Sequence, residues 1–234
     1  MLKTVRVMLI PNKKQRTRLF QFAGSARFAY NWALFEEKRN HDEGGQFLND
    51  YELRKRFTLY KQEPQNRWLY TISNNVCKQA IKDAVKAYEK FFEGLTGHPK
   101  YKSRKRSEPK FYADPVKIQF TATHVKLESI AQSRKKNRQC ANWFRLSEHE
   151  RIPFGTKYFN PRISFDGLNW FLTVGIEADA QEITRSNDGI GIDLGVKDLA
   201  ICSSGHVYKN INKTSRVRRL KKKQRRLQRK ICLL

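Results

Sequence analysis

One strand-like segment stands at the start of this chain, far ahead of the other strand-like segments. Val5, Val7 and Leu9 lie at a period of two, which is typical of a half-buried β-strand. The later segments with strand character begin only at Val116. Because a strand so far ahead of its partners usually rejoins their sheet, we predict an α+β fold in which a helical insertion separates the first strand from the rest.

Three segments between these strands predict helices. Each shows apolar residues at helical spacing or begins after a residue that favours an N-cap. The first two also carry a capping box, in which Asn12 pairs with Gln15 and Asn49 with Glu52. The predicted helices span residues 13–39, 50–61 and 74–93, the last of them after Ser73.

The second half of the chain has the pattern of an antiparallel β-structure followed by a basic helix. Asp166-Gly167 is a hairpin turn signal before the strongest strand. A polar linker is predicted at residues 178–187, and a helix from about Lys213 onward. The predicted strands are 116–120, 124–130, 142–146, 162–165, 169–177, 189–195, 198–203 and 205–208.

The charge of the chain limits the function classes that need to be considered. Lys and Arg number 48 and Asp and Glu 22, which gives a net charge of +26 and predicts a polyanionic partner, most commonly nucleic acid. No apolar run reaches the roughly 20 residues of a membrane helix, and no signal peptide is recognisable. The four cysteines form no C-x-x-C zinc pair, and we expect them to be reduced thiols. We expect a cytoplasmic, nucleoid-associated protein without a membrane or small-molecule partner.

The basic residues are concentrated in three places that predict contacts with phosphates. These are residues 100–110, 134–138 and 209–230, and twelve Lys or Arg but no acid follow Leu199. Tyr101, inside the first basic segment, is the best candidate for stacking on a base, whereas Trp170 at strand period is expected in the core. Phe111, Tyr112 and Trp143 are further aromatic residues among these segments.

Asp193 is the most unusual carboxylate in the sequence. It lies within the apolar, glycine-flanked segment Ile190–Gly195, where a buried and unpaired carboxylate would be costly. A bound divalent cation would remove that cost, so Asp193 is a candidate metal ligand and catalytic residue. A structural role in a turn, or an ion pair with one of the many lysines, explains the same residue equally well. Asp188 and Asp198 have turn-like positions.

Four segments resemble the OrfB/TnpB family of transposon-encoded, RNA-guided DNA nucleases. They are KTVRVMLIPNKKQ with GSARFAYNWAL near the start, AIKDAVKAYEKFFEG before HPKYKSRKR, GIDLGVKDLAICSSG, and RVRRLKKKQRRLQRK. The resemblance implies an oligonucleotide-binding-like β-barrel (wedge) domain at residues 1–48 and 111–180. It also implies a helical recognition lobe with the basic loop at 49–110, and the start of an RNase H-like (RuvC) nuclease domain at 186–234.

The same resemblance implies DNA and a guide RNA as partners, Mg²⁺ as the cofactor of the intact nuclease, and Asp193 as its first metal ligand. Polar residues of the third helix can read base edges or hold phosphates, although an ordinary solvated face is the alternative for each of them. The predicted nucleic-acid-binding residues are Asn74, Asn75, Lys78, Lys82, Lys100, Tyr101, Lys102, Arg104, Lys105, Arg106, Arg218, Arg219, Lys222 and Arg226.

The chain departs from the family pattern after Asp193. The family's later Glu, its four-cysteine zinc motif and its last Asp have no counterpart, since no Asp or Glu follows Asp198. We therefore expect a C-terminally truncated, transposition-associated protein that binds nucleic acid but holds Mg²⁺ unproductively and is inactive alone. The alternatives are a nuclease-dead DNA-binding repressor and a generic basic RNA-binding protein.

Overall fold

The computed structural model describes residues 2–128, 130, 141–177 and 189–231, without the side chains of 229–231. The chain divides into two compact units, Met1–Ala180 and Gln181–Leu234. The basic run predicted to bind phosphates at 134–138 and the linker predicted at 178–187 lie outside the described residues.

The helices of the first unit confirm the three helical predictions to within a few residues. Asn12 Oδ1 accepts a hydrogen bond from the Gln15 backbone N–H at 2.9 Å, and Gln15 Oε1 accepts from the Asn12 N–H at 3.0 Å, so the predicted capping box is present. Gly44, whose φ is +78°, takes the left-handed conformation just after the first helix. The helices are α1 (Lys13–Asp42), α2 (Asp50–Tyr60), the 3₁₀ helix Pro64–Thr71 and α3 (Asn74–Phe92).

Seven antiparallel strands form the sheet of the first unit, in the order β2-β6-β7-β1-β5-β4-β3. β1 pairs with β7 from Leu2↔Glu177 to Leu9↔Trp170, and its end pairs with β5. The prediction that the first strand rejoins the later strands is therefore confirmed. The strands are β1 (Leu2–Ile10), β2 (Lys110–Tyr112), β3 (Gln119–Phe120), β4 (His124–Lys126), β5 (Trp143–Leu146), β6 (Tyr158–Phe165) and β7 (Trp170–Glu177).

Four strands of the first unit differ from the predicted pattern. β4 ends at Lys126 instead of Ile130, and β6 begins at Tyr158, four residues earlier than predicted. β2 begins at Lys110, inside the predicted basic loop, because the buried ring of Phe111 anchors this short segment next to β6. β3 is shorter than predicted because residues 114–118 form a turn. In that turn the Asp114 carboxylate accepts from the Val116 N–H at 3.0 Å, and the Asp114 carbonyl accepts from the Ile118 N–H at 3.0 Å.

One hydrophobic core joins the sheet to all three helices. Val7, Leu172 and Trp170 of the sheet belong to the same buried cluster as Phe22 of α1 and Ile81 of α3. The inserted helices thus share their core with the sheet.

The second unit is a small antiparallel sheet followed by a helix. Its strand order is β10-β9-β8, as the antiparallel prediction requires, but β8 is only two residues long instead of seven. None of the described helices in either unit is long and apolar enough to cross a membrane. The elements are β8 (Ile192–Asp193), β9 (Asp198–Cys202), β10 (Val207–Lys209), the 3₁₀ helix Ile211–Lys213 and α4 (Ser215–Ile231).

Candidate nucleic-acid interface

The basic loop at residues 98–109 is fixed to the middle of α1 by one side-chain amide. Asn31 Nδ2 donates to the Lys102 carbonyl at 2.8 Å, and the Lys102 N–H donates to Asn31 Oδ1 at 2.8 Å. This two-fold pairing satisfies both backbone groups of Lys102, as a neighbouring strand would. The loop is therefore held in place although it has no regular secondary structure.

A compact turn presents three of the predicted phosphate ligands. Ser107 N–H donates to the Ser103 carbonyl at 3.0 Å, and the Ser103 N–H donates back to Ser107 Oγ at 3.1 Å. Between these two serines lie Arg104, Lys105 and Arg106, all with exposed side chains. The turn's own hydrogen bonds thus hold the backbone while the three cations face solvent, an arrangement suited to contacts with phosphates.

Lys102 differs from its neighbours because its side chain turns inward. Its ammonium lies 3.3 Å from the ring centroid of Tyr30. Burial lowers the pKa of Lys102 to about 8, although the nearby Asp83 carboxylate favours the charged form. Burial also acts to raise the pKa of Asp83, but hydrogen bonds from Arg162 and Gln79 outweigh it and hold that pKa below its ordinary value. The side chain of Lys102 is thus half-buried, and its role in nucleic-acid binding stays a prediction.

Two depressions border the basic loop. A groove of about 810 Å³ is lined by Arg104, Lys105 and Arg106 together with Arg27 and Phe20 of α1. A cavity of about 810 Å³ on the other side is lined by Lys100, Tyr101 and Arg106 among others. The structure therefore brings five of the predicted residues together around one loop. Arg27 was missed, because in the sequence it is one cation among many on a helix.

The α3 candidates fall into two groups. Asn75 Nδ2 donates to Asp114 at 2.7 Å and to Glu128 at 3.3 Å, and Asn74 Oδ1 accepts from Lys61 Nζ at 2.8 Å. Both amides are thus engaged within the protein. Lys78 and Lys82 have exposed side chains, which leaves them accessible to a phosphate.

The helix α4 carries the remaining predicted cations. Arg218, Arg219, Lys222 and Arg226 are all exposed, and the helix contains no acid. Like charges this dense repel one another, so a polyanion that neutralises them is favoured on this helix.

The aromatic residues named from the sequence differ in exposure, and Tyr112 and Trp143 are half-buried. Tyr101 is 55% exposed, which agrees with a ring available to a base. Trp170 is buried, as predicted. Phe111 is also buried and therefore unavailable for stacking.

Asp193 lies in an environment that the sequence did not predict. Its strand is short, and its side chain is exposed, as are those of Ile192 and Leu194 on either side. The expectation of a carboxylate inside an apolar strand interior is therefore wrong. Within the described residues, no group of three or more His, Cys, Asp or Glu could hold a metal ion. Asp193 by itself does not fit a two-metal centre, which needs several carboxylates.

Comparisons with known proteins show what this chain is similar to. Residues 1–46 match the helix-turn-helix domain model HTH_OrfB_IS605. A protein of Escherichia coli (strain K12) provisionally named RNA-guided DNA endonuclease InsQ is 24% identical over 232 residues, 98% of this chain and 54% of that protein. A provisionally named RNA-guided DNA endonuclease of Streptomyces pristinaespiralis is 25% identical over 222 residues, 94% of this chain and 53% of its own length.

A solved complex of Cas12f1 with single guide RNA and target DNA matches all of this chain and 62% of the Cas12f1 chain. Its sequence identity is 14% and its TM-score is 0.36, too low to support an argument about the fold. The chain spans about half the length of the curated relatives that it matches. The chain is similar to the OrfB helix-turn-helix model in residues 1–46, and to provisionally named RNA-guided DNA endonucleases over nearly its whole length. The described part of the region matched as helix-turn-helix consists of one strand and the single helix α1.

Proposed function

We propose that this chain holds a guide RNA and its DNA target through the basic loop and α4. The observation that carries the proposal is the turn between Ser103 and Ser107, which holds Arg104, Lys105 and Arg106 outward beside the exposed ring of Tyr101. Fixed cations next to an open aromatic ring suit a single-stranded nucleic acid. The curated relatives are provisionally named RNA-guided DNA endonucleases, which supports RNA and DNA as the partners.

The domain assignment belongs to the same proposal. We propose that residues 1–48 and 111–180 are the oligonucleotide-binding-like wedge domain, that 49–110 are the recognition lobe, and that 186–234 belong to a RuvC-like domain. The antiparallel sheet that includes the first strand supports this assignment, as does the division of the chain between Ala180 and Gln181.

We further propose that the residues of this chain do not complete a metal-dependent nuclease centre. Asp193 would supply one carboxylate for Mg²⁺, whereas stabilising a phosphodiester transition state between two metals requires several. Purified protein incubated with Mg²⁺ and duplex DNA should leave the DNA intact. Cleavage that Asp193→Ala abolishes would contradict this proposal.

The binding proposal is tested by the salt dependence of affinity. Each lost phosphate contact should reduce the log–log salt slope by about 0.7 on single strands and about 0.9 on duplex DNA. A variant with Arg104, Lys105 and Arg106 all changed to Gln should therefore lower the slope measured by fluorescence anisotropy. A matched control changes the exposed Lys13, Lys14 and Lys157 to Gln and removes the same charge.

The comparison of these two variants decides the proposal. If the loop variant lowers the slope and the control does not, the loop is the interface. If both lower it equally, the attraction comes from the overall charge and not from the loop. A guided protein should also co-purify with one enriched RNA species, whereas a generic basic protein would collect cellular RNA in proportion to its abundance.

A further inference from the structure

A cavity on one side of the basic loop has aromatic walls that phosphate binding alone does not require. It lies between the C-terminal half of α1, the residues after that helix, the end of α3 and the start of the basic loop, and its volume is about 810 Å³. The ring centroids of Phe47 and Phe92 are 5.2 Å apart, and those of Tyr88 and Phe92 are 6.0 Å apart. This volume is in the range of small-ligand sites.

Several rings that line this cavity are open to solvent. Phe92 is 62% exposed and Tyr101 is 55% exposed, and Phe47 is exposed to a smaller extent. Aromatic side chains that line a concavity without being covered are positioned to stack on a flat ring.

Three cations and one exposed acid line the cavity together with the aromatic rings. The cations are Lys38, Lys100 and Arg106, and the acid is Asp42. Cations around an aromatic interior complement a nucleotide, whose phosphate is anionic and whose base is flat and largely apolar on its faces. An apolar peptide has no anionic group to pair with these cations, so they favour a nucleotide as the occupant.

Two adjacent glutamates of α1 are buried but differ in their partners. Glu36 and Glu37 are each 5% exposed. Glu36 forms a salt bridge with Arg39 at 2.7 Å and lies 3.7 Å from the Arg56 guanidinium. Glu37, which lines the cavity, accepts one long hydrogen bond from the Leu48 N–H at 3.3 Å, and its Oε1 has no partner among the described residues.

A buried carboxylate oxygen without a donor is costly, and a ligand that brings an N–H group would offset that cost. Burial raises the pKa of Glu37 to about 7, because the Leu48 N–H and the Arg56 charge compensate it only in part. The wall of the cavity therefore has an acceptor that the protein does not itself satisfy.

We propose that this cavity receives one unpaired nucleobase of a bound RNA, stacked against Phe92 and Tyr101, with its N–H edge toward Glu37 and its phosphate on Lys100 and Arg106. The inference rests on the proposed nucleic-acid binding and adds a base preference to it. Guanine fits best because it presents two adjacent N–H donors to a carboxylate. Uracil presents one N–H between two carbonyl oxygens, which a carboxylate repels.

The test compares two fluorescein-labelled RNA decamers of equal charge, an all-uridine decamer and the same decamer with two central guanosines. Fluorescence anisotropy at moderate salt should show about tenfold tighter binding of the guanosine decamer, since stacking and base contacts contribute at this scale. Phe92→Ala and Tyr101→Ala should each remove most of this difference, and Glu37→Gln should remove the preference for guanosine. Circular dichroism and thermal melting would establish that each variant is folded.

The control is Tyr51→Ala, which truncates an exposed aromatic ring outside the cavity lining and should change neither affinity. Equal binding of both decamers by the wild-type protein would overturn the base pocket while leaving the proposed nucleic-acid binding intact. An equal loss in Tyr51→Ala and Phe92→Ala would overturn it as well. If the wild-type protein binds neither decamer even at low salt, the proposed function itself fails, and the pocket fails with it.

Discussion

The two units of this chain differ in how many of their apolar side chains are buried. The first unit buries large side chains from its sheet and from three helices in one core, among them Trp170, Phe22 and Leu53. Among the described residues of the second unit, Cys202 is the one buried hydrophobic side chain. Its apolar residues are exposed instead: Ile190, Ile192, Leu194, Val196, Leu199, Ile201, Val207, Tyr208, Ile211, Leu220 and Leu227.

The two units therefore differ in what stabilises their folded state. The first unit removes enough apolar surface from water to offset its conformational entropy. A three-stranded sheet without a core is marginal in water, and the cations of α4 repel one another. We infer that the second unit depends for its stability on contacts with groups outside itself, whereas the first unit supplies its own.

The largest expected contrast concerns amide hydrogen exchange. Amides paired between β1 and β7 should exchange only through global unfolding, which for a domain of ordinary stability means protection of about 10⁴ or more. Amides paired between β9 and β10 should show protection below about 10², because opening them exposes little additional apolar surface. Exchange measured by mass spectrometry in the protein without nucleic acid checks this. Comparable protection in the two sheets would contradict the comparison.

A pair of matched truncations tests the same contrast in free energy. Leu172→Ala removes a side chain that is 0% exposed and should lower the free energy of unfolding by about 3 kcal/mol. Ile201→Ala removes a side chain that is 44% exposed and should cost less than about 1 kcal/mol. Urea denaturation followed by tryptophan fluorescence measures the first. For the second, whose unit contains no tryptophan, the measurement is circular dichroism.

The buried carboxylate of Glu37 should destabilise the first unit when it is charged. Its pKa is raised to about 7 in the folded protein, while the unfolded chain should titrate near 4.5. Between these two values the folded state retains a proton that the unfolded state releases, so stability falls as pH rises through this window. Glu37→Gln should therefore stabilise the protein by about 2 kcal/mol at pH 8 and change little at pH 4. Thermal melts at both pH values measure this, and a stabilisation of equal size at pH 4 would contradict it.

The smallest effect is expected from the residue that fixes the basic loop. Asn31→Ala removes the two hydrogen bonds to Lys102 and should cost about 1 kcal/mol of unfolding free energy. Its clearer consequence should be local, because the loop contains Arg104, Lys105 and Arg106, which trypsin recognises. Limited trypsin digestion should cleave the variant faster within this loop than the wild-type protein. An unchanged cleavage rate would show that the loop is held by other contacts.

The elements of the fold were predictable where short-range chemistry decides them. Asn12 and Gln15 lie three residues apart, so the capping box that begins α1 is visible in the sequence and present in the structure. β2 was missed, because the six cations of residues 98–110 predict a solvated loop and the anchor, Phe111, is a single residue. Two-residue strands such as β8 are likewise too short to show a period.

The candidate interface was predictable only in part. Arg104, Lys105, Arg106 and Tyr101 are exposed as their composition suggests. The inward turn of Lys102 depends on Tyr30, which lies on a different element. Spacing along the chain contains no information about a neighbour so distant in sequence, so the pairing was invisible before folding.

The sequence by itself determined the caps, the amphipathic helices, the return of β1 to the later strands and the strong positive charge of α4. These features depend on residue types and on periods of a few residues. Only the tertiary structure decided that Glu36 forms salt bridges with two arginines while Glu37, among the described residues, accepts one backbone hydrogen bond, and that three separate stretches of the chain line one aromatic cavity. Burial and ion pairing are properties of what surrounds a side chain in space, and that environment exists only once distant segments have packed together.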